Sequence, residues 1–153
     1  MKITLGYDSH KLEEFKSAAI TLGGVRIQSD YRTIAHSDGD VICHSLIDCI
    51  APAFLNKSIG ELYSNKDTQN TGAYSLDRLC EVYKKAGMPK IINIDIIVIS
   101  DEIMMCDVAN KIKDNLSKAL NIKSCQIYVK GKTTEGENPN QRFIKALSCI
   151  LFE

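Results

Sequence analysis

The sequence predicts a two-layer α/β or α+β fold, a sandwich in which a mixed sheet packs against helices. Three observations support this prediction: a short alternating segment at residues 2–8, a helix start at Ser37–Asp40, and an Ile- and Val-rich run at residues 91–99. Strand-like and helix-like segments that alternate in this way are typical of folds whose helices cover a sheet. The 153 residues suffice for one buried core, so we predict a single domain over residues 1–153.

The first part of the chain contains two extended segments and one helix. Residues 2–8 alternate apolar and polar side chains, as a half-buried strand does. Residues 19–27 form a second extended segment, which is broken by Gly23-Gly24. Ser37–Asp40 supplies N-cap side chains and acidic groups for a helix start, and this helix extends to about Phe54.

The rest of the chain is assigned by similar signals. Residues 56–72 are polar and irregular, and a loop of that length is usually functional or mobile. A helix over about 74–86 stops at Gly87, because glycine favours the conformation that ends a helix. The remaining segments are a strand at 91–99, a helix at about 105–120, a strand at 126–130, a polar loop at 131–141, and a strand or helix at 143–152.

Composition excludes several classes of function. The 19 basic and 19 acidic side chains give no net charge, so we expect no nucleic-acid partner and no membrane surface. No apolar run is long enough to cross a bilayer and no secretory signal is visible, which predicts a cytoplasmic protein. The six cysteines are scattered without a Cys-x-x-Cys pair, so we expect free thiols in a reducing compartment.

The first candidate site is the pair Asp8 and His10. Residues two positions apart in a strand point to the same side, so these two side chains could hold one ion together. Carboxylate and imidazole are both common zinc ligands. The alternative is a surface Asp-x-His pair that binds no metal.

The second candidate cluster is Asp40, His44 and Asp48, whose spacing of four places them on one helix face. His44 is a candidate third metal ligand. Asp40 and Asp48 are candidates to accept its other ring N–H or to hold substrate hydroxyls. Three protein ligands leave a fourth tetrahedral position open, as in catalytic zinc sites. A solvated polar stripe is the alternative.

The third candidate cluster is the segment Lys130–Glu135, which follows a predicted strand. Its threonine hydroxyls and lysines suit phosphate oxygens. Glu135 suits a hard ion such as Mg²⁺, which often binds one carboxylate together with substrate phosphates. An exposed junction between a strand and a loop would have a similar composition.

Together the three clusters resemble the 2-C-methyl-D-erythritol 2,4-cyclodiphosphate synthase family of non-mevalonate isoprenoid synthesis. The matching segments follow the family's order and spacing over nearly the whole chain, and the part from His36 to His44 is the most specific. These segments are Gly6–His10, Gly23–Ile27, Ala35–Val41 with His44 and Asp48, Ile59–Leu62, and Lys130–Glu135.

The resemblance implies a metal-dependent phosphorus–oxygen lyase. In this family a phosphate at position 2 of a cytidine diphosphate-linked methylerythritol attacks the β-phosphorus. The products are methylerythritol 2,4-cyclodiphosphate and CMP. The resemblance also implies a homotrimer whose sheets face the trimer axis, with active sites between neighbouring subunits.

The resemblance assigns roles to individual residues as well. The implied metal ligands are Asp8, His10 and His44 for Zn²⁺ or a similar divalent ion, and Glu135 for Mg²⁺ or Mn²⁺. His36 and Thr134 match positions that orient or stabilise the phosphate in the transition state, and residues 100–106 match the cytidine pocket. The implied substrate-binding residues are Ser37, Ser58, Ile59, Gly60, Asp67, Met105, Cys106, Lys132, Thr133 and Arg142.

The chain departs from the family pattern in its substrate loops. Ser58 stands where the family usually has an acidic residue near the sugar, and Ile103-Met104 replaces a Pro-Lys pair. Residues 63–65 and 138–141 also differ. These departures motivate an alternative, a catalytically weakened paralogue that binds metal and nucleotide or prenyl diphosphate without turnover. A third hypothesis is an unrelated zinc hydrolase. The match to the family pattern over nearly the whole chain argues against it, and the sequence offers no separate general base to activate water for hydrolysis.

Overall fold

The computed structural model describes residues 1–63, 74–136 and 141–153. The strands are β1 (Lys2–Leu22), β2 (Val25–Thr33), β3 (Ile91–Ile99), β4 (Ile127–Lys132) and β5 (Phe143–Phe152). The helices are α1 (Val41–Leu55), α2 (Ile59–Leu62), α3 (Ser75–Lys85) and α4 (Met105–Leu120), with a 3₁₀ turn at Ser124–Gln126. No helix in the described ranges is both long and apolar enough to span a membrane.

The five strands form one mixed sheet in the order β2-β1-β5-β3-β4. All neighbours are antiparallel except β3 and β4, which are parallel and are connected through α4. Such a crossover is what parallel neighbours require. Helix α1 lies against β1 and β5, and α4 lies against β4. The predicted α+β class with a mixed sheet is therefore confirmed, and the ambiguous segment at 143–152 is a strand.

The first strand is longer than the sequence indicated. We predicted separate extended segments at 2–8 and 19–27, but β1 continues from Lys2 to Leu22. Its first part pairs with β5 and its last part with β2, with a register shift between Glu14 and Ala18. Residues 14–17 are exposed, so this stretch has no buried face and lacks the alternation that predicts a strand.

Two connections follow from local chemistry. Gly23 and Gly24 form the turn between β1 and β2 with φ of 56° and 73°, a region that favours glycine. The described part of the segment predicted as an irregular loop contains the single turn α2. It forms because Ser58 and Glu61 make a capping box, in which each side chain accepts the other residue's backbone N–H.

Helix α1 approaches β1 closely at Gly6. A Cβ atom on Gly6 would lie 1.9 Å from the carbonyl oxygen of Ser45 and 2.9 Å from the amide nitrogen of Cys49. Real side chains do not tolerate such distances. The absence of a side chain at Gly6 therefore sets how closely the beginning of α1 lies over β1.

We expect Gly6→Ala to destabilise the protein and to displace α1. Overpacking costs about 1–3 kcal/mol, and here the crowded atoms are backbone atoms that cannot rotate away. Denaturant unfolding measures the loss. Gly60→Ala is the matched control, because a Cβ there would meet nothing within 4 Å. Equal stability of the two variants would contradict the close approach.

The sheet face that points away from the helices carries exposed apolar side chains. Ile3 is 69% exposed, Leu5 68% and Leu147 40%. Tyr7 pairs with Leu147 across β1 and β5 and adds to the same face. We call this surface the outer sheet face; it contains a shallow cavity of about 370 Å³. An exposed apolar patch of this kind is typical of an interaction surface.

Candidate active site

Asp8, His10 and His44 come together near the point where α1 begins. The Oδ2 atom of Asp8 lies 2.9 Å from His44 Nδ1 and 3.2 Å from His10 Nε2. The two ring nitrogens are 3.5 Å apart. One ligand atom from each residue lies within 4.8 Å of the others. The structure thus brings together the three residues that the spacing had selected.

The backbone explains why these side chains meet. Asp8 and His10 share the helix-facing side of β1 with Gly6, because side chains alternate along a strand. Gly6 lets α1 lie directly over this side of β1. The amide of His44 donates to the carbonyl of Asp40 at 3.1 Å, so His44 belongs to the start of α1. Its ring therefore lies over the two side chains from β1.

The electrostatics of Asp8 favour its charged form. Burial raises the pKa of its carboxyl group, but hydrogen bonds and charge from His10 and His44 outweigh burial and hold the pKa below its usual range. The side chains of Asp8, His10 and His44 are 25%, 19% and 12% exposed. The cluster is therefore largely shielded from solvent but remains accessible to it.

The donor set fits a zinc-type ion. One carboxylate oxygen and two imidazole nitrogens match catalytic zinc sites, in which three protein ligands leave a position for substrate. Imidazole ligands favour zinc over magnesium. Among residues 1–63, 74–136 and 141–153, no other group of three or more such side chains is close enough to share an ion.

Asp40 does not accept the ring N–H of His44, so that part of the prediction is wrong, while the alternative of a substrate hydroxyl stays a prediction. The Asp40 side chain is fully buried and caps α1. It accepts four backbone N–H groups at 2.7–3.1 Å, those of Gly23, Gly24, Ile42 and Cys43. Burial raises the pKa of Asp40, and the amide donors offset part of this effect. Asp40 instead joins the β1–β2 turn to the start of α1.

Asp48 is not a partner of the His44 ring either. Its Oδ2 accepts the amide of Tyr7 at 3.2 Å, because one further turn of α1 carries it along β1. The Nε2 atom of His44 instead meets two hydroxyls, Ser75 Oγ at 2.9 Å and Ser37 Oγ at 3.4 Å. Ser75 is 31 residues from His44, so no local spacing could reveal this contact.

A cavity of about 420 Å³ lies between α4 and β4. Four of the predicted substrate-binding residues line it: Met105, Cys106, Lys132 and Thr133. Gly131 also lines it, and a Cβ there would lie 2.8 Å from the Cβ of Met105. Gly131 was predicted only as part of the Lys130–Glu135 segment, yet its missing side chain allows β4 and α4 to approach each other at this cavity.

The loop after β4 is held by hydrogen bonds. The amide of Thr134 donates to Asp101 Oδ1 at 2.8 Å, and its hydroxyl donates to Asp101 Oδ2. These hydrogen bonds hold the pKa of Asp101 below its usual range. The hydroxyl of Thr133 donates to Glu135 Oε1 at 2.6 Å. Asp101, which was predicted only within the range 100–106, therefore fixes the position of Thr134.

The other predicted residues occupy loops or helix starts. Arg142 forms an ion pair with Glu102. His36 is exposed between β2 and α1, and Ser58–Gly60 forms the start of α2. Asp67 lies outside the described residues. Of the described residues in the predicted substrate-binding set, Ser37 alone has a polar contact with the Asp8 cluster, at 3.4 Å from His44 Nε2.

The metal cluster and the loop after β4 lie at the same end of the sheet. Asp8 pairs with Ala146 in β5, Ala146 pairs with Val98 in β3, and Val98 pairs with Gly131 in β4. The register therefore places Asp8 on β1 and Gly131 near the end of β4 at the same height along the strand direction. Three interstrand spacings of about 4.8 Å separate β1 from β4, which puts them roughly 14 Å apart along the sheet.

Comparison with known proteins identifies the family. The sequence profile of the YgbB family matches residues 1–153. The chain belongs to this family. A curated relative, the 2-C-methyl-D-erythritol 2,4-cyclodiphosphate synthase of Aquifex aeolicus, is 37% identical over 139 residues, which cover 89% of this chain and 87% of the relative. The same synthase of Halothermothrix orenii is 38% identical, covering 88% and 82%. The resemblance to the cyclodiphosphate synthase family is confirmed.

Solved structures of the family share the fold. A 2C-methyl-D-erythritol-2,4-cyclodiphosphate synthase superposes with a TM-score of 0.88 at 28% identity, covering 99% of this chain and 100% of that one. A CDP-bound form has the same TM-score of 0.88. The CDP complex of Plasmodium falciparum IspF has a TM-score of 0.78 at 34% identity, covering 97% and 93%. These relatives give no support to the weakened-paralogue alternative.

Proposed function

We infer that the chain is an active 2-C-methyl-D-erythritol 2,4-cyclodiphosphate synthase. It converts the cytidine diphosphate-linked methylerythritol 2-phosphate into methylerythritol 2,4-cyclodiphosphate and CMP. One observation carries this inference: an Asp-His-His cluster lies at the same end of the sheet as a cavity that is lined by Lys132 and Thr133, whose side chains suit phosphate oxygens. The match of residues 1–153 to the YgbB family profile supports the same inference.

We propose two metal sites with different ligands. Asp8, His10 and His44 suit Zn²⁺ or a similar ion, because two of the three donors are imidazole nitrogens. Glu135 suits Mg²⁺ or Mn²⁺, because it offers exposed carboxylate oxygens next to Thr133. When bound, such ions neutralise charge on the substrate phosphates and align them.

The protein's own side chains supply positioning. Intramolecular phosphoryl transfer requires the attacking phosphate oxygen to be in line with the β-phosphorus and the leaving CMP. Lys132 and Thr133 line the cavity and suit phosphate oxygens. Thr134, held by Asp101, is proposed to stabilise the phosphate in the transition state together with His36. The other proposed substrate contacts are Met105 and Cys106 to cytidine, and Ser37, Ser58, Ile59, Gly60, Asp67 and Arg142 to the rest of the ligand.

A homotrimer with active sites between subunits accounts for two features of the chain. Strand β1, which carries Asp8 and His10, and strand β4, which leads to Glu135, are roughly 14 Å apart in the sheet, which is more than one diphosphate group spans. A neighbouring subunit that supplied either the Asp8 cluster or the loop that holds Glu135 would bring the two together. The outer sheet face is apolar and exposed, and sheets that face a trimer axis would bury it.

We expect light scattering to give three times the 17.0 kDa mass of the chain. Leu147→Asp places a charge on the outer sheet face and should shift the mass towards the monomer, with loss of turnover. Met88→Asp is the control, because Met88 is 48% exposed but lies in the turn between α3 and β3. A monomer mass for the unaltered chain, or an unchanged mass for Leu147→Asp, would argue against the shared site.

Turnover of the cytidylyl substrate tests the function directly. The protein is incubated with the substrate, Zn²⁺ and Mg²⁺, and phosphorus NMR follows the products. We expect equal amounts of CMP and the cyclic diphosphate. Binding of the substrate without release of CMP would favour the weakened paralogue. A linear phosphorylated product in place of the cyclic one would favour a zinc hydrolase, in which water is the nucleophile.

A further inference from the structure

The far side of the His44 ring faces a hydrogen-bond chain that none of the roles above uses. Ser75 Oγ lies 2.9 Å from His44 Nε2, and the Ser75 hydroxyl donates to Asp38 Oδ1. The amide of Ser75 donates to the other carboxylate oxygen of Asp38 at 3.0 Å. Ser75 is fully buried and is the first residue of α3. Asp38 lies just before α1, so the chain connects two helix starts to one ring.

The donors and acceptors in this chain permit one direction. An ionised Asp38 only accepts, so Ser75 gives its single hydroxyl proton to that carboxylate. The Ser75 oxygen can then only accept from the ring, which requires that His44 Nε2 carries the hydrogen. A neutral His44 ring then has its lone pair on Nδ1, which faces Asp8 and His10, where an ion would bind. Only a ring that also carries a hydrogen on Nδ1 would donate to Asp8 instead. The neutral ring is the form of imidazole that binds a metal.

We propose that Ser75 and Asp38 are positioning residues that hold His44 in the tautomer and orientation required for metal binding. This inference rests on the proposed metal site and adds to it two residues to which no role had been assigned. Metal-bound histidines commonly donate their other ring N–H to a carboxylate, a carbonyl or water. Here a serine hydroxyl stands between the ring and the carboxylate.

Ser37 is the weaker partner of the ring. Its hydroxyl oxygen is 3.4 Å from His44 Nε2, against 2.9 Å for Ser75. The same oxygen accepts the amide of Gly39 at 3.3 Å. Ser75 also has the carboxylate behind it, which polarises its hydroxyl and strengthens its acceptor character. We therefore expect Ser75 to fix the ring and Ser37 to remain available to substrate.

The competing interpretation is that Asp38 only anchors the start of α3. In that case loss of the Ser75 hydroxyl would lower stability but would change neither the tautomer of His44 nor the affinity of the folded protein for zinc. Two measurements separate these interpretations. Nitrogen NMR of histidine-labelled protein reports which ring nitrogen carries the hydrogen, and the chain has only three histidines to assign. Competition with a chelator gives the zinc affinity.

We expect Ser75→Ala to bind zinc about 10–100-fold more weakly and to lose the preference for a hydrogen on Nε2. Asp38→Asn should change both measurements in the same direction. Ser75→Thr keeps a hydroxyl at this position, so its zinc affinity should be close to that of the unaltered protein. Ser45→Ala is the matched control. Ser45 is a fully buried serine next to His44 in sequence, and its hydroxyl pairs with Ser148 Oγ at 2.6 Å. Its removal should leave zinc affinity unchanged.

The outcomes distinguish the two levels of inference. If the unaltered protein binds no zinc, both the proposed metal site and the positioning role that rests on it are contradicted. If the unaltered protein binds zinc and Ser75→Ala binds it equally well, with Nε2 of His44 still protonated, only the positioning role is wrong. Should Ser75→Ala not fold, Asp38→Asn decides between the same two results.

Discussion

His44→Ala should remove the zinc and nearly all turnover. Asp8 and His10 alone would offer two ligands on one strand, and the third donor comes from α1. Elemental analysis should give about one zinc per subunit before the change and a small fraction of that after it. Lewis-acid stabilisation is worth several kcal/mol, and each 1.4 kcal/mol is a factor of about ten. Turnover should therefore fall below roughly 1%.

His36→Ala provides the comparison for this experiment. His36 is exposed in the loop before α1 and does not belong to the Asp8 cluster. Its replacement should lower turnover, since it is proposed to orient the phosphate, but should leave the zinc content unchanged. Undiminished zinc in His44→Ala would rule out the assignment of that ligand.

Glu135→Gln should keep the zinc and the fold but lose turnover, by about 100-fold or more. The amide is nearly the same size but carries no charge, so it binds a hard ion poorly. Charge on the bridging phosphates would then remain unneutralised in the transition state. The loss should appear mainly in kcat, because the cavity lined by Met105 and Cys106 is unchanged. Steady-state kinetics at saturating Mg²⁺ and substrate measures it.

Glu14→Gln is the control for Glu135→Gln. It removes the same charge from an exposed glutamate of β1 and should leave kcat unchanged. A near-normal kcat for Glu135→Gln would defeat the proposal of two metal sites. The zinc assignment would survive that result, because its ligands lie on β1 and α1 and do not include Glu135.

Local periodicity explains which parts of the site could be predicted. Asp8 and His10 follow the two-residue period of a strand, and His44 lies near a helix start that Asp40 marks with its capping side chain. The partners of the His44 ring could not be predicted in this way. Ser75 reaches the ring from a different helix. The Asp40 carboxylate instead accepts two amides from the β1–β2 turn and two from the first turn of α1.

The limits of the fold prediction have a similar origin. The middle of β1 was missed because residues 14–17 are exposed and give no alternating pattern. The short helix α2 was missed because its existence depends on one capping box, made by Ser58 and Glu61, within a polar segment. In contrast, β3 was predicted correctly, since Ile and Val, which favour strands, make up seven of its nine residues.

The pairing of β1 with β5 determines when the metal ligands can assemble during folding. Asp8 pairs with Ala146 and His10 pairs with Ile144, so this stretch of β1 finds its strand partner across most of the chain. Closing so long a loop carries an entropic cost that local helices do not. The Asp-His-His arrangement should therefore form late, after α1 has formed. Zinc would then act chiefly by slowing unfolding of the finished protein, with little effect on the rate at which the chain refolds.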